Sequence, residues 1–127
     1  MEEAKDTRRA WSYNAAVEAG LEPRSYAYTD IPEGTWAARL DFKVWSNKTA
    51  GGHLVCYFTS LVDDCRYRLS VFRPRQPAGR FYTPKDGGID FSQPGLDGQT
   101  FLVDVGRTAK GDVSWLGAEF DKQSWRT

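Results

Sequence analysis

The chain has 127 residues, enough for one domain that buries about two thirds of its unfolded surface in a single core. It carries 17 basic and 17 acidic residues, and this net charge of zero excludes a uniformly basic nucleic-acid binder. Aromatic residues make up 14% of the chain, a composition typical of folded domains and not of disordered ones.

Targeting and catalytic signals are missing from the sequence. The first residues, MEEAKDTRRAW, contain no apolar run that could act as a signal peptide, and no stretch approaches the roughly 20 apolar residues of a membrane span. We therefore expect a cytoplasmic protein without membrane contact. His53 is the only histidine, and there is neither a nucleophile elbow nor an HExxH motif. With two cysteines there are too few ligands for a structural zinc site, so we expect no enzyme and no cofactor.

The amino-terminal residues have the composition of a helix. Residues 3–19 would form it, Gly20 would end it, and Leu21 would fold back onto its last turn. Its apolar stripe is thin, which favours a helix lying on a sheet. An extended connector follows. We therefore divide the chain into a segment of residues 1–30, with the helix and the connector, and a single β domain of residues 31–127.

From Thr35 the hydrophobic period becomes two, which predicts β-strands. In TWAARLDFKVW, alternate residues would share the core face: Trp36, Ala38, Leu40, Phe42 and Val44. The opposite face would carry Arg39, Lys43 and Trp45.

The next two strands, HLVCYFTSL and CRYRLSVFR, are predicted to form a hairpin with a two-residue turn at residues 63–64. This register places Cys56 opposite Val71. Cys56 and Cys65 would then not meet, so we expect free thiols. A disulfide would need the turn shifted onto poorer turn residues.

Residues 74–99 contain four prolines and five glycines, which predict a long connection. A short strand at residues 79–83 could have an exposed edge that pairs two copies into a homodimer. TFLVDVGRT and VSWLGAEF are predicted to form a last hairpin around an AKGD turn.

Three antiparallel strands, a crossover and a hairpin predict a mainly β fold. The arrangement is that of a five-stranded antiparallel Greek-key barrel of the oligonucleotide-binding (OB) type, here with an amino-terminal helix. A β-sandwich, or a curved sheet packed by the helix, would have the same order of elements, and both remain alternatives.

Two segments carry a family resemblance: IPEGTWAARLDFKVWSNKTAGGHLVCYF and LDGQTFLVDVGRTAKGDVSW. With their order of turn, strand, Lys/Gly loop, strand and final hairpin, residues 31–120 resemble the small single-strand-binding proteins of phages and mobile elements. The resemblance implies single-stranded nucleic-acid binding on the outer face of the second and third barrel strands. This chain departs from the family in having Pro/Gly-rich sequence where a helix is usual, and in the segment that precedes the barrel.

The stretch CRYRLSVFRPRQPAGRFY holds five arginines and no acidic residue. A sequence-tolerant site for single strands needs aromatic faces for base stacking and basic groups along the backbone. Such a site is predicted from nine residues: Arg39, Lys43, Trp45, Tyr57, Arg66, Arg68, Phe72, Arg73 and Arg75. Exposed arginines beside aromatic rings also occur on sheets that bind nothing, because the guanidinium packs on the ring.

Arginine and aromatic residues are also enriched in protein interfaces, so the same face supports a second hypothesis. This is a protein-binding module, such as a small inhibitor, immunity or anti-defence protein of a phage or plasmid. A third hypothesis is a barrel that binds a carbohydrate or another small ligand on its aromatic residues.

Overall fold

The computed structural model describes residues 11–47, 52–72, 83–84 and 88–121. Its elements are β1 (Trp11–Ser12), α1 (Tyr13–Glu18), a short 3-10 helix (Pro23–Ser25), β2 (Gly34–Ser46), β3 (His53–Ser60), β4 (Arg66–Phe72), β5 (Thr100–Arg107) and β6 (Val113–Phe120). The fold is mainly β, as predicted. Within these ranges, no helix has the length and apolar character needed to cross a membrane.

All the strands belong to one sheet with the order β4-β3-β2-β5-β6, in which neighbours are antiparallel. The long strand β2 pairs with β5 along its first residues and, in parallel, with β1 near its end. The two edge strands, β4 and β6, approach to within 8 Å between Cα atoms, so the sheet is strongly curved. No ladder joins them in the described ranges, so the expectation of a closed barrel is corrected to an open sheet.

Connecting segments bridge both edges of the sheet. Ala27 donates a hydrogen bond to the carbonyl of Arg66 (3.0 Å) and accepts one from the N–H of Arg68 (2.9 Å), on the free edge of β4. Gly88 forms a single parallel bridge to Ala118 of β6. Edge groups that are already bonded are not available for another strand. This is the physical reason why β4 does not pair with β6 at Arg66 and Arg68.

The sheet has a hydrophobic core on each face. The first core lies inside the curve, combines residues of β2 to β6, and is completed by four residues from the connections: Ile31, Ile89, Phe91 and Leu96. Trp36 and Trp115 are buried there. The second core lies on the outer face and contains six buried residues: Ala16, Tyr26, Phe42, Val44, Val55 and Tyr57.

A β-bulge in β2 decides which core its residues enter. Leu40 pairs with Phe58, but Phe42 pairs with Tyr57, so Asp41 is an extra residue on this strand. Because one extra residue inverts a period of two, the side chains exchange faces beyond the bulge.

The predicted common face of β2 is therefore wrong after Asp41. Leu40 packs in the first core, as do Trp36 and Ala38 before it, whereas Phe42 packs in the second. Lys43 is correspondingly turned towards the first core, where it is completely buried.

The β3–β4 hairpin forms with a register two residues away from the predicted one. Cys56 lies opposite Leu69, not Val71, and residues 61–65 join the two strands in place of the two-residue turn. A shift of two residues keeps every side chain on its predicted face. Cys56 and Cys65 are free thiols, as predicted.

The helix α1 is short because Ser12 caps it at Tyr13. The Ser12 hydroxyl oxygen accepts a first-turn backbone N–H at 3.1 Å. The predicted end at Gly20 is confirmed: Gly20 has a φ of 89°, and Leu21 folds back to donate to the carbonyl of Ala16. The predicted helix is wrong at Trp11 and Ser12, which form β1 beside β2. Residues 3–10 of that helix and nearly all of the predicted strand at residues 79–83 lie outside the described residues.

Candidate functional site

The face predicted to bind a ligand is partly covered by residues 11–30, which we call the covering segment. Its Tyr26 is buried, with ring centroids 5.5 Å from Phe42 and 5.1 Å from Tyr57 in edge-on contacts. Phe42 and Tyr57 are themselves stacked at 4.5 Å. Tyr57 is consequently only 2% exposed, so the prediction of an open stacking platform at this residue is wrong.

Asp41, the residue of the bulge, fastens the covering segment to the sheet. Its Oδ2 accepts hydrogen bonds from the hydroxyls of Tyr26 (2.7 Å) and Thr59 (2.5 Å). Its Oδ1 accepts one from Nε of Arg39 at 2.8 Å. Burial and the hydrogen bond to Asp41 raise the pKa of Tyr26, and the hydrogen bond to Asp41 raises the pKa of Arg39. Arg39 is thus exposed, but it is engaged with a neighbour on its own strand.

Arg66 is also held by the covering segment. Its Nη1 donates to the hydroxyl of Ser25 at 3.2 Å and lies 3.9 Å from a carboxylate oxygen of Glu22. The guanidinium carbon is 5.5 Å from the centroid of the Tyr26 ring. These contacts direct Arg66 towards the covering segment.

Lys43 lies in the first core, far from its predicted place on the outer surface. Its Nζ donates to the carbonyls of Phe91 (2.5 Å) and Gln93 (2.6 Å), and its burial lowers its pKa. The bulge at Asp41 causes this position. The predicted surface role of Lys43 is therefore wrong, because a ligand on the outer face cannot reach its ammonium group.

A groove of about 940 Å³ remains open on the outer face, between α1 and the strands β2, β3 and β4. Four aromatic residues are among those that line it: Tyr13, Tyr28, Trp45 and Tyr57. Its other lining residues are Ser12, Asn14, Val44, Ser46, Asn47, His53, Val55, Arg68 and Ser70. None of these lining residues is acidic, although the chain has 17 acidic residues.

The charge in the groove comes from Arg68. Its guanidinium carbon lies 4.5 Å from the centroid of the Tyr28 ring, and Tyr28 is 65% exposed. The buried Nε of Arg68 has no hydrogen-bond partner among the described atoms. Burial raises the pKa of Tyr57, while a hydrogen bond and the positive charge of Arg68 oppose this effect. The groove thus combines a cation with aromatic surface, which suits a planar, negatively charged ligand.

The nine predicted site residues are distributed over several places. Those that line the groove are Trp45, Tyr57 and Arg68. Arg39 and Arg66 also lie on the outer face, but each forms an ion pair outside the groove, Arg39 with Asp41 and Arg66 with Glu22. Lys43 is in the opposite core. The side chain of Phe72 lies outside the described part of the chain, as do Arg73 and Arg75.

The covering segment supplies a part of the site that was not predicted from the sequence. Tyr13 and Tyr28 line the groove, but they belong to a segment that was separated from the β domain. A signal was present, since Tyr26 and Tyr28 alternate with small or polar residues in a connector, which is a period of two. This pattern could have predicted the bridge that Ala27, between them, makes to β4.

No model of a known protein family, no curated protein and no solved structure matches the chain, so the fold and the groove carry the functional argument. In the described part of the chain, no three His, Cys, Asp or Glu residues are grouped so that they could hold a metal ion.

Proposed function

We propose that the protein is a non-catalytic binding module for single-stranded nucleic acid and that the groove is its binding site. The observation that carries this proposal is the contact between Arg68 and the exposed ring of Tyr28 in a groove whose lining residues include no acidic residue. Single-strand sites combine basic groups with aromatic surfaces on which each stacked base contributes about 1–3 kcal/mol.

The order of the strands supports the proposal. The path β4-β3-β2-β5-β6 is compatible with an OB barrel that is open between its third and last strands. In that fold, β3 and β4 correspond to the second and third strands, whose outer face binds oligonucleotides. The groove lies on this face of β3 and β4.

Basic residues follow two of the groove-lining strands in the sequence. Phe72 pairs with His53, which lines the groove, and the chain continues from Phe72 with Arg73 and Arg75. Lys48 belongs to the sequence that joins β2 to β3. Cations that follow a base-stacking surface are suited to neutralise the phosphates of the bound strand.

Titration of the protein with a fluorescent oligothymidine at low and at moderate salt tests this function. Binding should be measurable at low salt and should weaken as salt rises, because neutralised phosphates release counterions. Absence of binding at low salt would overturn the proposal.

One observation favours a second function, a protein-binding module such as a phage or plasmid inhibitor, immunity or anti-defence protein. At the tip of the β3–β4 hairpin, Leu61 is 44% and Val62 is 73% exposed, next to Asp63 and Asp64. Exposed apolar residues beside carboxylates suit a protein surface better than phosphates. If this function holds, the double substitution Leu61→Ser and Val62→Ser should abolish binding of the partner protein. Unchanged binding in that variant would show that the hairpin tip is not the binding surface.

A further inference from the structure

The groove on the outer face is short. Along β3 its lining extends from Tyr57 to His53, and along β4 it includes Arg68 and Ser70. The four steps from Tyr57 to His53 span about 13 Å at roughly 3.3 Å per residue. The volume of about 940 Å³ is within the range of a pocket for one small molecule, whereas strand-tracking OB folds cover about 4–16 nucleotides. The groove therefore accommodates only a few nucleotides.

The end of the groove at Tyr57 is blocked by Tyr26. The Tyr26 ring is buried against Tyr57, and its hydroxyl is bonded to Asp41 at 2.7 Å. The next residue, Ala27, is hydrogen bonded to the backbone of β4 through both its N–H and its carbonyl. The covering segment thus crosses the outer face here, and a strand lying over Tyr57 cannot continue towards Arg66.

From this geometry we infer that the protein binds the terminus of a single strand and not a strand that passes through the site. The inference rests on the proposed function and specifies its ligand as a strand with a free end. Arg68 lies at the blocked end beside the exposed ring of Tyr28, so the terminal base stacks on Tyr28 and the adjoining phosphate meets Arg68. The rest of the strand leaves the groove at the His53 end.

Competition between a linear oligothymidine and the same oligonucleotide closed into a circle tests this inference on the intact chain. The two competitors have the same bases, and only the linear one has ends. The linear form should bind at least about tenfold more tightly, a difference of about 1.4 kcal/mol. Tyr28→Ala should reduce this preference, because it removes the ring on which the terminal base stacks.

The outcomes separate the two proposals. Equal affinity for the linear and the circular form overturns the preference for strand ends and leaves single-strand binding standing. If neither form binds, both proposals fail. Binding of thymidine monophosphate without binding of the linear oligonucleotide also overturns both, and assigns the groove to a small ligand.

Discussion

The guanidinium of Arg68 and the ring of Tyr28 meet at 4.5 Å, which joins a cation from the sheet to an aromatic ring from the covering segment. Neither element makes this surface alone. The sheet provides the charge on β4, and the hydrogen bonds of Ala27 to the same strand hold the next residue, Tyr28, over it. The ligand surface is therefore shared between the β domain and the segment that precedes it.

Removing the cation from the groove should weaken nucleic-acid binding. We expect Arg68→Ala to lower the affinity for oligothymidine about tenfold and to reduce the slope of log affinity against log salt by about one, because one phosphate contact is lost. Arg39→Ala is the matched control, since it removes one charge from the same face outside the groove. Equal losses in the two variants would show that overall charge, and not the groove, governs binding.

Removing the aromatic ring at residue 28 should weaken binding without unfolding the protein. Tyr28→Ala is expected to cost about 1–3 kcal/mol of binding free energy, as for one stacked base. Because Tyr28 is 65% exposed, its loss should change the free energy of unfolding by less than about 0.5 kcal/mol. Tyr28→Phe keeps the ring and should bind like the unmodified protein. A loss of binding in Tyr28→Phe would contradict stacking as the cause.

The hydroxyl of Tyr26 should contribute to stability through Asp41. Tyr26→Phe removes one hydrogen bond to a carboxylate and should lower the free energy of unfolding by about 1.5–3 kcal/mol in urea denaturation. Tyr28→Phe is the control, because that hydroxyl belongs to an exposed ring. An unchanged stability in Tyr26→Phe would mean that the packing of its ring alone holds the covering segment.

Lys43 should be needed for stability and not for binding. Lys43→Met leaves two carbonyls without their donor and should destabilise the fold by about 1–3 kcal/mol. At a temperature where the variant is folded, its affinity for oligothymidine should change with salt concentration as that of the unmodified protein does. A smaller salt slope would place Lys43 on the ligand surface, as the simple strand alternation had predicted.

Asp97 should make stability depend on pH. Its burial raises its pKa to about 6, and the charge of Asp41 adds to this effect, while the charge of Lys43 opposes it. Because the pKa in the folded state exceeds that in the unfolded state, its contribution to stability is fully present below about pH 4 and is lost as the pH rises through about 6.

The Asp97→Asn variant isolates that contribution. Relative to the unmodified protein, its free energy of unfolding should increase between pH 4 and pH 7, measured in urea at each pH. A difference that stays constant with pH would show that Asp97 titrates alike in the folded and unfolded states.

The sequence was sufficient to predict the five long strands β2 to β6 and the faces of the β3–β4 hairpin, but not the short strand β1. This worked despite the incorrect turn, since a shift of two residues keeps Cys56 and Leu69 on one face. The bulge was not predicted, because an extra residue changes the pairing without breaking the strand. The one feature of the sequence at the bulge is a charged residue, Asp41, between the apolar Leu40 and Phe42.

The covering of the outer face could not be predicted from periodicity. Tyr26 and Asp41 are 15 residues apart. The ring of Tyr26 also packs on Phe42, which the bulge turns to the outer face. Arg68 was identified because it alternates with buried residues on β4, whereas the ring beside it comes from a connector. Local patterns identify the strand residues of the site, and the long-range packing of the covering segment determines which of them stay open.

Backbone amide chemical shifts during an oligothymidine titration test the location of the site most directly. If the groove binds the single strand, the largest changes should occur at residues that line it, such as Tyr28, Arg68 and Ser70, while the strands β5 and β6 should change little. Changes concentrated at the hairpin tip around Val62, or the absence of any change at low salt, would contradict the groove as a nucleic-acid site.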